Sequence, residues 1–418
     1  MESEVNVSEV LDTRCCIAGG GPAGMMLGFL LARAGVDVVV LEKHADFLRD
    51  FRGDTIHPST LELMYELGML DEFLRRPHQQ VKQIGAEVEG FPAIIGDFSH
   101  LPTHATFIAL MPQWDFLNFL AEKARQYPHF HLRMESEVTS LLKEKSRVRG
   151  VRAITPSGTL EVRADLTVGA DGRRSTVRSS AGLQVLDLGA PIDVLWMRVS
   201  RQATDPNQSL GRFRAGKILV TLDRGEYWQC AYVISKGGFA AIQLRGLPSF
   251  RQDIAEIAPF LASRTDEIAD WNSVKLLTVA VDRLRQWTQP GLLCIGDCAH
   301  AMSPVGGVGI NLAIQDAVAA ANLLALPLLR GTVREDDLRQ VQARRSFPTR
   351  MTQAVQVLMH RKFISPALGR QTPIRRLPLP FRLLQQFPWL RRFPARIVGL
   401  GFRPEHIRTP DSQSKVTK

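Results

Sequence analysis

Three short segments of this sequence place glycines and charged side chains at the end of an apolar run. In the first segment, CCIAGGGPAG, the run leads into Gly19, Gly21 and Gly24. Glycines at this spacing permit a tight turn, a close approach of a pyrophosphate to the backbone and close packing of the following helix. Glu42 follows 18 residues after Gly24, where an acid can hold a ribose 2′-hydroxyl. Because Glu42 would repel a 2′-phosphate, the pattern predicts a site for the adenosine of FAD or NAD rather than of NADP.

The second segment, IGDCAHAMSPVGGVGINLAIQD, combines one acid with a glycine-rich loop far along the chain. The Asp297 carboxylate can accept hydrogen bonds from sugar or ribityl hydroxyls. Gly306, Gly307 and Gly309 let the backbone approach a flat ligand closely. A helix from about Asn311 would direct its free N–H groups and positive dipole end at an electron-rich oxygen. The segment therefore predicts a second grip on the same dinucleotide, although a glycine loop that only caps a helix is the alternative.

The third segment, VGADGRRSTVR, ends another apolar strand at Asp171 and Gly172. It then supplies three arginines, Arg173, Arg174 and Arg178. Taken alone, it is equally typical of a charged turn after a strand. Its place between the other two segments makes it a candidate part of the same site.

Predicted helices and strands around these segments would bring them together. A helix from about Pro22 to Ala34 ends before Gly35, and the run VDVVVLE is a second buried strand. A further helix is predicted around Ser59 to Leu67, and a strand meander runs from HLRMESEVTSLL to VRADLTVGA. The runs VLWMRVS, KILVTLD, YWQCAYVIS and FAAIQLRG, with one helix near Asp253 to Ala262, predict a separate sheet.

In this order along the chain, the three segments resemble the FAD-dependent aromatic hydroxylases, the p-hydroxybenzoate hydroxylase family of single-component flavoprotein monooxygenases. The resemblance covers most of residues 13–345. It implies non-covalent FAD, NADH or NADPH as a transient electron donor, and molecular oxygen as co-substrate. It further implies that oxygen is transferred through a flavin hydroperoxide to an electron-rich aromatic ring. The apolar middle region and the tail favour a bulky or lipophilic phenolic or polyketide substrate.

The resemblance also assigns cofactor-binding residues by position. Glu42 would contact the adenosine ribose, Arg52 the pyrophosphate or flavin, and Asp297 the ribityl chain. Gln113 matches a glutamine that opens a helix against FAD, although a generic first-turn glutamine is the alternative. The other implied contacts are Gly19, Gly21, Pro22, Ala23, Gly24, Asp171, Arg178, Gly296, Pro304, Gly307, Gly309, Ile310 and Asn311. Val308 replaces a residue that is often polar in the family, so contacts there would be made mainly by backbone.

The predicted fold class is α/β, with a Rossmann-type FAD-binding domain, an inserted, mostly β-sheet substrate domain and a C-terminal helical tail. The FAD-binding domain is expected in three parts, 1–85, 105–186 and 281–360. The substrate domain would take 86–104 and 187–280, and the tail 361–418. The substrate would then bind at the junction of the two domains.

Side chains that face the substrate are less clearly marked. In YWQCAYVIS, a period of two places Trp228, Cys230 and Tyr232 on one face of the strand. With Trp196 from a neighbouring strand, this face could receive an aromatic ring, and an aromatic core face is the alternative. No phenol-activating base can be assigned; the candidates for catalysis are Tyr232, His57, His104 and Pro304.

The basic charge of the chain is concentrated in the tail. Residues 361–418 carry 13 Lys or Arg against two acids, a net +11, so the remainder of a chain with net charge +10 is close to neutral. Apolar residues recur every three or four positions with arginines between them: Leu383, Phe387, Leu390, Phe393 and Ile397 alternate with Arg382, Arg391, Arg392 and Arg396. This surface would either dock on an anionic membrane or pack on the enzyme body or on a second subunit as a homodimer. Nucleic acid is not expected, because no recognised binding module accompanies the charge.

Cysteine usage and the amino terminus predict a cytoplasmic protein, with the inner face of a membrane as a further location if the tail docks there. The five cysteines show no disulfide framework, MESEVNVSEVLD does not resemble a secretory signal, and no apolar run reaches the length of a membrane span. No metal site is expected, because Cys294, Cys298 and His300 lack a second ligand pair.

Three other functions remain open at this stage. A flavin halogenase would need paired tryptophans, and all six tryptophans are isolated. A FAD-dependent reductase or dehydrogenase acting on a polyprenyl or quinone-like substrate would use the same FAD segments without oxygen. A non-catalytic flavin-bound module at a membrane would bind FAD without nicotinamide-driven turnover.

Overall fold

Two sheets organise the part of the chain that the computed structural model describes, residues 7–48, 55–206 and 209–413. The strands, in chain order, are β1 (Val7–Ala18), β2 (Val38–Leu41), β3 (Thr55–Ile56), β4 (Gln79–Val81), β5 (Gln83–Val88), β6 (Phe91–Asp97), β7 (Ile108–Leu110), β8 (Phe130–Arg133), β9 (Glu137–Glu144), β10 (Arg147–Thr155), β11 (Gly158–Gly169), β12 (Val185–Asp187), β13 (Ile192–Ser200), β14 (Leu210–Arg214), β15 (Lys217–Asp223), β16 (Tyr227–Ser235), β17 (Lys275–Leu277), β18 (Asp282–Leu284), β19 (Thr288–Gln289), β20 (Leu292–Cys294) and β21 (His300–Ala301). The helices are α1 (Pro22–Arg33), α2 (Pro58–Glu66), α3 (Leu70–Phe73), α4 (Gln113–Ala124), α5 (Thr176–Ser180), α6 (Phe239–Arg245), α7 (Leu247–Ile257), α8 (Gly309–Leu329), α9 (Glu335–Met359), α10 (Ser365–Leu368), α11 (Leu379–Gln386) and α12 (Arg392–Gly399).

The first sheet is parallel at its centre, in the order β20, β11, β1, β2 and β8, and the meander strands β9 and β10 extend from β11. Ala18 at the end of β1 pairs with Leu41 and with Gly169, the last residues of β2 and β11. Gly169 in turn pairs with Cys294, the last residue of β20. Four carboxyl ends are therefore level at one edge, which is where ligands bind in open parallel sheets. We call it the nucleotide edge.

The second sheet has the order β17, β13, β16, β15, β14, β5 and β6. One face packs under α6, α7 and the 3-10 segment Pro259–Glu267, and we call it the helix face. On the other face, Trp196 and Val220 belong to a cluster that includes Val305 of the glycine-rich loop. We call this side the loop face. The second sheet therefore meets the first domain through its loop face.

Several expectations about the second sheet are wrong in detail. FAAIQLRG forms helix α6 rather than a strand: it is bounded by Gly238 and Gly246 and is rich in good helix formers. The helix expected near Asp253 to Ala262 runs over Leu247–Ile257. The strand β14 was not predicted, and β5 enters the sheet from Gln83, three residues before the expected boundary at 86.

Helix α8, with the turn before it, is long and apolar enough to cross a membrane by length and composition alone. Most of this helix is buried, and it packs against α1 and α9. It therefore serves as the central core helix of the first domain.

The tail forms short helices, as its many prolines predict. Ile364 and Leu368 pack on the loop face of the second sheet, and α11 and α12 pack against β6. The buried side of α12 is formed by Ala395 and Gly399, with neither residue in the predicted apolar stripe. In the stripe itself, Leu390 is half-buried, whereas Leu383, Phe387, Phe393 and Ile397 remain 37–59% exposed, so the stripe packs on the enzyme body only in part.

Candidate functional site

The first glycine segment forms a cradle between β1 and α1. Gly19 has a φ of +107°, which favours glycine, and a Cβ there would lie 2.4 Å from the carbonyl oxygen of Ala170. A Cβ at Gly24 would lie 1.9 Å from the Gly19 carbonyl oxygen, so this glycine lets the helix approach the turn. A Cβ at Gly21 would meet nothing within 4 Å. The cradle is tight on its protein side and open beside Gly21, which fits a pyrophosphate at the start of α1.

Glu42 directly follows β2 at the nucleotide edge and is almost fully buried. Its Oε2 accepts a hydrogen bond from the Gly20 backbone nitrogen at 3.0 Å. Its Oε1 accepts one from the His44 backbone nitrogen at 3.1 Å and contacts His44 Nδ1 at 2.5 Å. The carboxylate is thus held against the glycine turn, in the position where an adenosine ribose would be recognised.

Asp297 lies in the short turn after β20, level with the glycine cradle. Its Oδ2 accepts a hydrogen bond from Arg173 Nε at 3.0 Å, and each side chain remains about one-third exposed, at 33%. The preceding Gly296, with a φ of +58°, is wedged between the methyl groups of Ala23 and Ala313. Arg173 was not among the predicted cofactor contacts. In the sequence, the arginine pair that follows Asp-Gly in the third segment could have indicated it.

Asp171 and Arg178 hold the neighbouring loop through its backbone. The Asp171 carboxylate accepts hydrogen bonds from the Ser175 hydroxyl at 2.5 Å and the Val177 nitrogen at 3.0 Å, so it caps the start of α5. The Arg178 guanidinium donates to the carbonyl oxygens of Arg173 and Cys298. Both side chains therefore support the turns that carry Arg173 and Asp297.

The glycine-rich loop, for which a second grip on the dinucleotide is predicted, is held in shape by Asn311. Gly306 and Gly307 have φ values of +82° and +63°. The Asn311 carboxamide oxygen accepts hydrogen bonds from the His57 nitrogen and the Thr60 hydroxyl, both at 2.8 Å. Its Nδ2 donates to the carbonyl oxygens of Thr55 and Gly307. The Asn311 side chain is thus committed to holding the loop, which leaves backbone groups to face a ligand.

Three other predicted cofactor contacts lie at the start of a helix or just before the glycine turn. Gln113 begins α4, which packs against α1, while Pro304 precedes the glycine turn and Ile310 lies in the first turn of α8. Pro22 and Ala23 open α1. Arg52 lies outside the described residues. Among the described residues, no group of three or more His, Cys, Asp or Glu could hold a metal ion.

Two glutamines of α9, which sequence reasoning missed, hold the loop from behind. Gln356 accepts a hydrogen bond from the Ser303 nitrogen at 3.0 Å and donates to the carbonyl oxygens of Ser303 and Val305. Gln353 donates to the carbonyl oxygens of Asp282 and Ala301. Both are nearly fully buried. In the sequence, only the spacing of two glutamines three positions apart on one helix could have indicated them.

A buried charge network, also missed, fixes the Asp297 turn. Asp316 Oδ2 accepts a hydrogen bond from the Gly296 nitrogen at 3.1 Å and contacts His300 Nε2 at 2.6 Å. Asp316 Oδ1 accepts one from Arg345 Nε at 2.8 Å. Burial raises the pKa of Asp316, but His300 and Arg345 outweigh it and the pKa is lowered below its usual value. Arg345 also reaches Glu405, so the network ties the nucleotide edge to the tail.

The aromatic face of β16 is not a substrate surface. Trp228, Cys230 and Tyr232 lie on the helix face, where Tyr232 packs edge-on against Phe250 at 5.3 Å between ring centroids. Burial raises the pKa of Tyr232. Trp196 pairs with Ala231, so it lies on the opposite face and cannot join them. The interpretation of this face as an aromatic core is correct, and Tyr232 is wrongly placed to act as a base.

The two candidate histidines make side-chain contacts with other protein groups. His57 is fully buried and its Nδ1 donates to the Val398 carbonyl oxygen at 2.7 Å. Burial lowers the pKa of His57 to about 4, against a raising effect of the bond to Val398. His104 lies at the surface, paired with Glu62 and stacked on Tyr65.

Comparison with known proteins agrees with this geometry. A family model described as an FAD binding domain matches residues 12–355. A 6-methylpretetramide 4-monooxygenase from Streptomyces rimosus is 36% identical over 361 residues, which cover 84% of this chain and 85% of that protein. A rifampicin monooxygenase from Streptomyces venezuelae is 28% identical, over 72% of this chain and 61% of its own length.

The fold recurs in solved structures. An anhydrotetracycline hydroxylase from Streptomyces rimosus, OxyS, superposes with a TM-score of 0.71 at 22% identity, covering 93% of this chain and 76% of the other. At this identity the likeness shows the fold alone. The family match extends over more than half of the chain and agrees with the 36% identical relative. The chain therefore belongs to the FAD-binding domain family of FAD-dependent aromatic monooxygenases.

Proposed function

We propose that the protein hydroxylates a phenolic ring of a bulky, lipophilic polycyclic substrate of the polyketide class, with NADH or NADPH as electron donor. The substrate class is supported by the 36% identical relative, a 6-methylpretetramide 4-monooxygenase. The size of the ring system is supported by the apolar character of the loop face, where Trp196, Phe213 and Val220 lie in one cluster.

One observation carries the proposal: the glycine-rich loop, with the helix that it opens, connects both parts of the site. Helix α8, which the loop opens, is joined to the nucleotide edge because Asp316 accepts a hydrogen bond from the Gly296 nitrogen. Through Val305 the loop packs with the loop face of the second sheet. A flat cofactor held by the loop would thus meet a substrate held by that sheet at the domain junction.

The protein positions the cofactor and the substrate and excludes water, while bound FAD supplies the transfer of electrons to oxygen and of one oxygen atom to the ring. Glu42 and the cradle around Gly21 would hold the adenosine end. Asp297, oriented by Arg173, would accept hydrogen bonds from the ribityl chain. Backbone N–H groups after Gly309 would stabilise negative charge on the ring system, because they open helix α8.

The nicotinamide donor would bind transiently in the same cleft. The sequence carries one glycine fingerprint of the GxGxxG type before a helix, at Gly19 to Gly24, and FAD would use it. A cytoplasmic location is part of this proposal, since it gives access to reduced nicotinamide.

The test is consumption of oxygen and NAD(P)H by the FAD-loaded protein, with hydrogen peroxide counted separately. The panel would contain simple phenols, quinol precursors and polycyclic aromatics. We expect polycyclic phenols to stimulate consumption with little peroxide and to gain one oxygen atom by mass spectrometry. Turnover without oxygen, with no stimulation by any aromatic compound, would favour a reductase instead.

The assigned role of Asp297 has its own test. We expect Asp297→Ala to weaken FAD binding at least about tenfold, because a carboxylate that accepts from hydroxyls contributes on the order of 1.5–3 kcal/mol. Asp336→Ala, on an exposed turn of α9, is the matched control and should leave FAD affinity unchanged. Unchanged affinity in both variants would remove Asp297 from the site.

A further inference from the structure

The tail contains an uninterrupted stretch of positive charge. Residues 361–404 hold ten Lys or Arg and no Asp or Glu. Among them Arg382, Arg392 and Arg396 are exposed in the structure. The rest of the chain is nearly neutral, so this charge is a local feature of one segment rather than a property of the whole protein.

Large apolar side chains protrude from the same stretch. Six of them form what we call the apolar ridge: Leu379 (62% exposed), Leu383 (39%), Phe387 (40%), Trp389 (57%), Phe393 (59%) and Ile397 (37%). Trp389 and Phe393 are in contact, with ring centroids 6.1 Å apart, so the ridge continues between the two short helices. Contiguous exposed apolar surface of this kind marks an interaction site.

The tail packs on the body mainly through residues outside the ridge, although Ile397 lines a small cavity with Ser59 and Asn311. Helices α11 and α12 both pack against β6, so their other sides face away from the same strand. On α12 the packed side is made by Ala395, which is fully buried, and by Gly399, where a Cβ would lie 2.8 Å from Leu101. Small residues face the body and large apolar residues face outwards, which is the reverse of an ordinary surface helix.

We propose that the apolar ridge and its arginines dock the protein on an anionic membrane surface. In three places an exposed arginine directly precedes a ridge residue: Arg382 before Leu383, Arg392 before Phe393, and Arg396 before Ile397. Apolar side chains at such a surface enter the boundary of the acyl chains, while the adjacent arginines pair with lipid phosphates. Trp389 is of the type that favours the membrane interface.

A second copy of the chain fits this surface less well. The two-fold interface of a symmetric dimer places the same patch of both subunits together. Here that would bring two stretches of ten positive charges into contact without a single acid from either one. Like charges facing each other across an interface oppose association.

Vesicle co-sedimentation of the full FAD-loaded chain tests the proposal. We expect binding to vesicles that contain phosphatidylglycerol, weak or no binding to pure phosphatidylcholine, and release by salt. The double variant Arg392→Glu, Arg396→Glu should bind at least about 25-fold more weakly, since each arginine near the surface contributes about fivefold. Leu244→Glu and Arg125→Glu, which change exposed residues outside the tail, are the matched controls and should bind normally.

Insertion of the ridge has a spectroscopic test. Brominated lipid should quench tryptophan fluorescence on binding, and Trp389→Phe should remove most of that quenching. The double variant Trp389→Glu, Phe393→Glu should lose vesicle binding while it keeps FAD and its thermal midpoint, because neither side chain packs in the core.

Three results would overturn the proposal. The first is no binding to anionic vesicles. The second is a concentration-dependent dimer that the Trp389→Glu, Phe393→Glu variant loses, without vesicle binding. The third is retention on immobilised polyglutamate without vesicle binding, which would indicate an acidic protein partner. None of these measurements needs turnover, so membrane docking and the proposed hydroxylation can fail separately.

Discussion

The nucleotide edge of the first sheet and the loop face of the second sheet form the two walls of the proposed site, and they are built differently. At the edge, glycines and charged side chains such as Gly24 and Glu42 hold backbone in place through close contacts and hydrogen bonds. At the loop face, Trp196, Val220 and Val305 contribute packing rather than directional contacts. A site that must hold one fixed cofactor is specified by backbone geometry. A site for a variable substrate is specified by shape, which many sequences can provide.

This difference explains what could be predicted. A glycine whose Cβ would lie 1.9 Å from another backbone atom leaves a fixed signal in the sequence, so the segments of the nucleotide edge could be recognised there. Strand alternation revealed that β16 has two different faces. Which face meets the glycine loop depends on how Val305 packs on the sheet, and Val305 lies far from β16 in the sequence. The sequence therefore left open whether the aromatic side of β16 receives a substrate or belongs to the core.

The buried side chains that hold the backbone near the nucleotide edge could not be predicted for a related reason. Gln353, Gln356 and Asp316 act on backbone atoms of Ser303, Ala301 and Gly296 across gaps of 20 or more residues. A buried glutamine in a helix has no local pattern that separates it from an exposed one. Only the packing of α8 and α9 against the loop identifies these residues as functional supports.

The largest effect should come from the cradle itself. We expect Gly24→Val to lower the free energy of unfolding by more than about 4 kcal/mol, because its side chain would overlap the Gly19 carbonyl and Ile17. Gly21→Ala should change that free energy by less than about 1 kcal/mol, since its Cβ meets only open space. It should nevertheless weaken FAD binding. Chemical denaturation of the apoprotein and FAD titration measure the two quantities. Equal stability losses would contradict the geometry of the cradle.

A matched pair of tryptophans separates the two faces of the second sheet. Trp228→Ala should cost about 3–5 kcal/mol of unfolding free energy, because the ring is fully buried on the helix face. Trp196→Ala should cost less in stability and should raise KM for the polycyclic substrate with a smaller change in kcat. Thermal denaturation and steady-state kinetics on both variants provide the comparison. The reverse pattern would place the substrate on the helix face.

His57 links Asn311, which holds the glycine-rich loop, to Val398 of the tail, and it should make the stability of that link depend on pH. The unfolded chain binds a proton at His57 near pH 6.5, whereas burial lowers the folded-state pKa to about 4. The unfolded state therefore gains protons first as the pH falls, and the folded protein loses up to about 3 kcal/mol between these two values. His57→Gln should flatten this part of the curve of unfolding free energy against pH. A variant with the wild-type slope would show that other groups carry it.

The smallest effect on stability is expected for the ion pair between Arg173 and Asp297. Variants of Arg173 test whether the nucleotide edge needs the guanidinium geometry or only a positive charge near Asp297. Both side chains are one-third exposed, so solvent screens the pair and Arg173→Ala should cost less than about 1 kcal/mol of unfolding free energy. If Arg173 orients the Asp297 carboxylate, the same variant should weaken FAD binding, and Arg173→Lys should restore only part of it, because Nε would be lost. Full recovery by lysine would mean that the edge needs a positive charge near Asp297. Partial recovery would mean that the edge needs the guanidinium geometry. A side chain would then be held by directional contacts, as the backbone of the glycine cradle is.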